Sequence, residues 1–166
     1  MAHTVEHLAK SVHQALKATP GPDGRRKAAD ALEAALKDDA FIGSAFGNNA
    51  SSRHLLYEDP ELGFCIFAHD HKDARDSGPH DHGPSWAIYG QAQGETQMTD
   101  WDLVEPAHDV KPGKVRHRKT YKLVRGQAHV YNEGDLHAPS RTAPTRLIRI
   151  EGTNLDRIKR HKFEIV

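Results

Sequence analysis

The chain has 166 residues, 37% of them hydrophobic, and its 23 lysines and arginines balance 23 aspartates and glutamates. That zero formal charge removes the electrostatic drive toward nucleic acid or an anionic membrane, and no apolar run approaches the ~18 residues of a membrane span. A single cysteine, Cys65, excludes an internal disulfide and a paired-cysteine metal site, and the first residues lack the basic start and apolar centre of a secretion signal, so a cytoplasmic protein is expected.

From the N-terminus, Val5, Leu8, Val12 and Leu16 recur at three- and four-residue spacing, the period of an amphipathic helix. Thr19-Pro20-Gly21-Pro22-Asp23-Gly24 ends that helix in a turn. A second helix follows, with Ala28, Ala29, Leu32, Ala35 and Leu36 on one side, and Phe41 to Ser52 reads as a connection. From Arg53 the texture changes to short strand candidates: Leu55–Tyr57, Leu62–Ala68, Ser85–Gln91, Thr96–Leu103, Val115–Val124, Ala128–Tyr131 and Arg146–Ile150. Clusters of Pro, Gly, Asp and Asn separate them, and no helical pattern intervenes. Such spacing predicts a sandwich or jelly-roll barrel over residues 53–166, with residues 1–52 as a helical segment packed on it.

Thirteen histidines stand out. His80-Asp81-His82 closes a loop just before a strand candidate, and alternation along an extended chain turns His80 and His82 to one face. Two neutral imidazoles so placed are half of a site for iron, zinc, copper or nickel. A second such pair, His69 and His71, directly follows a strand candidate and reads as solvent-exposed or rim residues. The other histidines lack partners at ligand spacing, although His129 lies on the strand leading to His137 and could line a pocket. Cys65 sits in an apolar strand and reads as buried and inert. Between Val110 and Arg125 many basic residues occur with Tyr121 as the sole interleaved aromatic, which suits a solvated hairpin face better than a nucleic-acid surface.

Four further residues bear on a pocket. Arg53 carries a planar fork suited to a carboxylate, or is an exposed strand-edge arginine. Tyr89 shares parity with Ala87 and points into the barrel, to fill the core or to hydrogen-bond a bound substrate. Arg149 and Glu151 alternate with Ile148 and Ile150, and the alternation leaves open which pair faces inward.

The glycine offsets around these histidines carry a resemblance. One stretch reads His80-x-His82-x4-Ala87-x6-Gly94, and another Gly126-x5-Asn132-x-Gly134-x2-His137-x3-Arg141. They resemble the two motifs of the cupin superfamily, G-x5-HxH-x(3–4)-E-x6-G and G-x5-PxG-x2-H-x3-N, with Ala74 at the first glycine and Ala87 at the glutamate ligand. The resemblance implies an all-β jelly-roll barrel, here with two N-terminal α-helices, and a metal bound by His80, His82 and His137. Without the glutamate the metal keeps its full double charge and up to three open positions, which favours an anionic substrate.

More narrowly, the His-Asp-His motif, the Gly94-Glu95-Thr96 strand, Leu136-His137 and Asn132 resemble the thiol dioxygenase branch, of which cysteine dioxygenase is a member. That implies Fe(II), with Zn, Ni or Mn as alternatives, and O2-dependent oxidation of a small anionic molecule. It also implies that Arg53 holds the substrate's carboxylate, with Tyr89 as a second substrate contact. Where that branch has a Ser-x-His-x-Tyr run, this chain reads Leu147-Ile148-Arg149-Ile150-Glu151, and the position of the Cys–Tyr crosslink is Ala87. Alternatives are a non-oxygenase metal cupin (isomerase, hydrolase or lyase) and a non-catalytic metal or small-molecule binding module. Cupins are often dimers, so the resemblance extends to a homodimer, for which no feature of the sequence itself calls.

Overall fold

The structure is a computed structural model that describes residues 3–47 and 51–166. Three helices come first: α1 (Val5–Ala18), α2 (Pro22–Ala35) and α3 (Asp39–Phe46). Thr4 caps α1 by accepting from the His7 N–H, and the chain leaves α1 at Thr19 to re-enter a helix at Pro22, whose fixed φ suits a first turn. The Pro22–Gly24 part of the expected turn is thus the first turn of α2. Helix α3 was not expected from sequence. Asp38 caps it, accepting from the Ala40 and Phe41 N–H groups, and Phe41, Ala45 and Phe46 are buried. Its two-turn length and internal Gly43 hid the apolar period. The Asn48–Ala50 part of the expected connection lies outside the described residues.

Ten strands follow among the described residues: β1 (Arg53–Glu58), β2 (Cys65–His71), β3 (Arg75–Asp76), β4 (Ala87–Gln93), β5 (Glu95–Glu105), β6 (Gly113–Val124), β7 (Ala128–Tyr131), β8 (His137–Arg141), β9 (Thr145–Glu151) and β10 (Phe163–Ile165). They form two five-stranded sheets, ordered β1-β2-β9-β4-β7 and β10-β6-β5-β8-β3, which face each other as a jelly roll. All seven expected strands are present. The short β3, β8 and β10 were not expected: β3 and β8 are rich in Pro, Arg or Ser and show no usable alternation, and the three residues of β10 are too few to establish a period.

The first sheet is covered on both sides. Ile66, Ile88, Ile148 and Ile150 on one face pack against Leu32, Leu36 and Phe41 of the helices, and all are fully buried. At about 1.5–3 kcal/mol per buried large apolar side chain, that layer is what holds the helices in place. Gly90 on β4 permits the close approach, since a Cβ there would lie 2.6 Å from the Leu32 Cδ2. On the sheet's other face, Ala87, Tyr89, Tyr131 and Leu147 meet Met98 and Leu123 of the second sheet in the barrel interior. This part of the interior is mainly apolar, with one buried polar pair in which the Thr96 hydroxyl donates to the Gln91 side-chain oxygen at 2.9 Å.

Candidate metal centre and its cavity

Motif spacing becomes geometry through one backbone contact. His80 and His137 exchange two N–H···O=C bonds, of 3.0 and 2.9 Å, so the loop before β4 is pinned to the first residue of β8. His82 turns to the same side as His80, and the ligand-capable nitrogens of His80, His82 and His137 all lie within 4.8 Å of one another. Gly94, the glycine that closes the first motif, takes φ +71°, and a Cβ there would lie 2.9 Å from the Pro144 carbonyl oxygen, so the β4–β5 turn needs glycine. Arg25 of α2 holds the turn before His137. It donates to both Glu133 carboxylate oxygens at 2.6 Å and to the Asn132 side-chain oxygen at 2.8 Å.

The three imidazoles suit a divalent metal. His80 and His137 each donate from Nδ1 to a carbonyl oxygen, that of Gly78 (2.9 Å) and Asp135 (2.8 Å), which leaves both Nε2 atoms with lone pairs. His82 is fully buried and neither ring nitrogen has a partner, an arrangement that costs free energy unless something accepts its lone pair. Burial is the first cause pushing all three pKa values below the ordinary histidine range; the mutual proximity of the rings adds to it for His82 and His137. All three are therefore neutral at pH 7, the form that binds a metal. Tyr131 stacks on His137, with ring centroids 3.9 Å apart and planes inclined by 22°. The Tyr89 hydroxyl stands 3.3 Å from the His137 Nε2.

A cavity of about 620 Å³ opens beside this cluster, within the range of small-molecule sites. His80 and Tyr89 line it, and its walls carry five arginines (Arg53, Arg75, Arg141, Arg149 and Arg160) against two carboxylates, Glu151 and Asp156. Glu151, 1% exposed, accepts from Arg53 (3.1 Å) and from the Leu155 N–H (3.1 Å), and pairs with Arg149 at 3.2 Å. Arg53 also donates to Asp156 at 2.6 Å and lies over the Phe67 ring at 3.6 Å. It is a cavity residue rather than an exposed edge arginine, yet carboxylates of the chain already engage it.

The reading of His69 and His71 as solvent-exposed or rim residues is corrected for His69, which is buried, while His71 is half-buried in the cavity wall. Strand β2 continues through His71 instead of stopping at Ala68, so both rings share the inner face with Phe67; His69 is 6% exposed and both line the cavity. Burial, with Arg141 next, pushes the His71 pKa down to about 4. The parity left open on β9 is resolved too: Arg149 and Glu151 face the cavity, and Ile148 and Ile150 face the helices. His129 lines a different, smaller hollow of about 350 Å³ on the far side of Tyr131. Cys65 is buried, with its thiol pushed up to about 11, chiefly by burial. Arg75, Arg141 and Arg160 are cavity arginines to which the sequence assigned no place in a pocket. Arg141 alone carried a signal, standing where the second motif has asparagine.

The sequence matches no family model and no curated protein. Solved structures are similar in fold. The cupin domain of Schizosaccharomyces pombe Cnp3 superposes with a TM-score of 0.50 at 11% identity, covering 67% of this chain and 68% of that one. The BH2720 protein of Bacillus halodurans gives 0.50 at 13% identity, covering 80% of this chain and 86% of its own. The fold is a cupin jelly roll. No described helix is long and apolar enough to cross a membrane.

Proposed function

We propose that this cupin is a non-haem Fe(II) enzyme that uses O2 to oxidise a small anionic organic molecule. The observation that carries the reading is the neutral three-histidine cluster, one member of which, His80, lines an arginine-walled cavity. His80, His82 and His137 would hold the metal through one nitrogen each. Bound there, iron supplies Lewis acidity and a route for electrons between substrate and O2. Because the ligands are neutral and Ala87 stands at the cupin glutamate position, no ligand charge offsets that of the ion, which favours an anionic substrate donor.

The chain's own residues account for binding and orientation. Cationic walls draw an anion in and hold its charge away from the histidines, while the apolar layer of Tyr89, Tyr131 and Leu147 keeps water from below. The Tyr89 hydroxyl, beside the His137 Nε2, is placed to donate to a ligand at the cluster. Arg53 would meet a substrate charge by exchanging its contact with Asp156, a partner whose side chain is 70% exposed, while keeping Glu151. A thiol is the substrate class that the motif resemblance favours. Its oxidation would place both atoms of O2 on sulfur, converting a thiolate and O2 to a sulfinate.

The test is O2 uptake by iron-reconstituted protein across a panel of small anionic thiols, diketones and hydroxy acids, with 18O2 labelling of the product. Uptake matched to substrate loss, and abolished in His82→Ala, is expected. Turnover of any panel member without O2, with Zn, Mn or Ni loaded, would replace the oxygenase reading by a lyase or isomerase one.

A further inference from the structure

Metal ligation leaves part of the cavity unused. His137, Pro139 and Arg141 share the inner face of β8 by alternation, and Arg141 is 6% exposed. Among the described residues its guanidinium has no hydrogen bond and no ion pair, and its Nε is buried without a partner. Two neighbours in the same cavity also keep a buried nitrogen without a partner, although Arg149 pairs with Glu151 through its other end. The Nε of Arg149 and the Nε2 of His69, each on a different strand, are also buried and unpartnered. Arg149 links this group to the histidine cluster: its guanidinium lies 4.5 Å from the Tyr89 ring, whose hydroxyl touches His137.

Polar groups so buried are ordinarily satisfied, and an uncompensated buried charge is among the costliest features a fold can carry. The chain's own anions do not compensate it. Glu151 is shared by Arg53, Arg149 and the Leu155 N–H, and Asp156 is held by Arg53. Five arginines facing two carboxylates leave the walls three positive charges in excess, of which a dianion would offset two and a monoanion one. Arginine forks present paired N–H groups that match the spread oxygens of an oxyanion. Neutral His69, in its Nε2–H form, adds a third donor without adding charge.

We propose that Arg141, Arg149 and His69 form an oxyanion subsite that takes a doubly charged head group, a phosphoryl or a pair of carboxylates, on the substrate. The subsite deepens the proposed function and rests on it for the cavity's being the substrate chamber, but the anion contact itself needs no metal. Binding can therefore be read on the metal-free full-length chain. Calorimetric titration in a chloride buffer would compare inorganic phosphate, malonate and acetate. One dianion per chain, bound at least tenfold more tightly than acetate, is expected; phosphate ahead of malonate identifies a phosphoryl head group, and the reverse order a dicarboxylate.

Arg141→Met should weaken dianion binding at least tenfold, and Arg141→Lys, which keeps the charge but loses the fork, should weaken it while melting near the wild type. Arg116→Gln, exposed on β6, should bind like the wild type. Equal affinity for acetate and the dianions, or undiminished binding by both Arg141 variants, overturns the subsite. A parallel Co(II) titration followed by visible absorption separates the two readings. Dianion binding without metal at the histidines would overturn the metalloenzyme and leave the subsite; metal loading without dianion binding would do the opposite.

Discussion

Replacing Arg141 by methionine should make the metal-free protein more stable. Burial, with the positive charges of Arg149 and Arg75 added, pushes the Arg141 pKa down to about 10, against an ordinary value of about 12.5. At 1.36 kcal/mol per pKa unit, the charged side chain works against the fold by about 3 kcal/mol. The sign follows from linkage. Both folded and unfolded arginine are protonated below the folded value, so the whole penalty is present at neutral pH and fades only as pH rises above about 10. Methionine fills similar space with a flexible apolar chain and brings no charge. For a domain of 166 residues, a gain of about 2–3 kcal/mol corresponds to a rise in melting midpoint of roughly 5–10 °C. The assay is calorimetric unfolding at pH 7 in a buffer free of oxyanions, repeated with phosphate added. Phosphate should raise the wild-type midpoint, leave the variant's nearly unchanged and so narrow the gap. A variant that melts at or below the wild type without phosphate would refute the argument, since Arg141 would then be compensated in the folded state.

Metal content offers a direct check on the cluster: His82→Ala should purify with less than a tenth of the wild-type metal while its circular dichroism is unchanged, and retained stoichiometric metal would place the site elsewhere. Acid should destabilise the metal-free protein. Burial holds His69, His80, His82 and His137 below the ordinary pKa of about 6.5, so the unfolded state takes up protons first as pH falls. Stability is then complete above about pH 6.5 and declines below it, which urea midpoints from pH 8 to 5 would record; a flat profile would contradict the burial of neutral rings. Arg25→Gln removes the clamp on the Asn132–Asp135 turn, and its loss should cost roughly 1–3 kcal/mol in denaturant unfolding, a typical value for hydrogen bonds to a charged group. No measurable loss would show that the turn holds His137 without help from α2.

Much of the fold was legible because it is written in local periodicity. Leu8, Val12, Leu32 and Leu36 recur at helical spacing and are buried where that spacing says they should be. The site was legible for a different reason. His80 and His82 share a face on any extended backbone, and His137 stood out through the resemblance of its glycine offsets, from Gly126 and Gly134, to the second cupin motif. The first rule holds within a few residues of chain, whereas the meeting of His137 with the pair rests on the His80–His137 backbone bridge.

The cavity walls were not legible, because alternation says which residues share a face but not which face turns inward. On β9 the rule is doubly blind. The sheet is covered on both sides, so Ile148 and Ile150 are buried against the helices while Arg149 and Glu151 are buried against the cavity, and no contrast of polar with apolar marks the outside. Arg53 could be assigned to a pocket by resemblance, but its engagement by Glu151 and Asp156 depends on strand register and on the return of the chain 98 and 103 residues later. The sequence by itself determined α1, α2, most of the strands and the pairing of His80 with His82 on one face. Which charges the barrel neutralises internally, and which it leaves for a ligand, was decided only when the sheets closed, because pairing between distant charges is a property of register and burial.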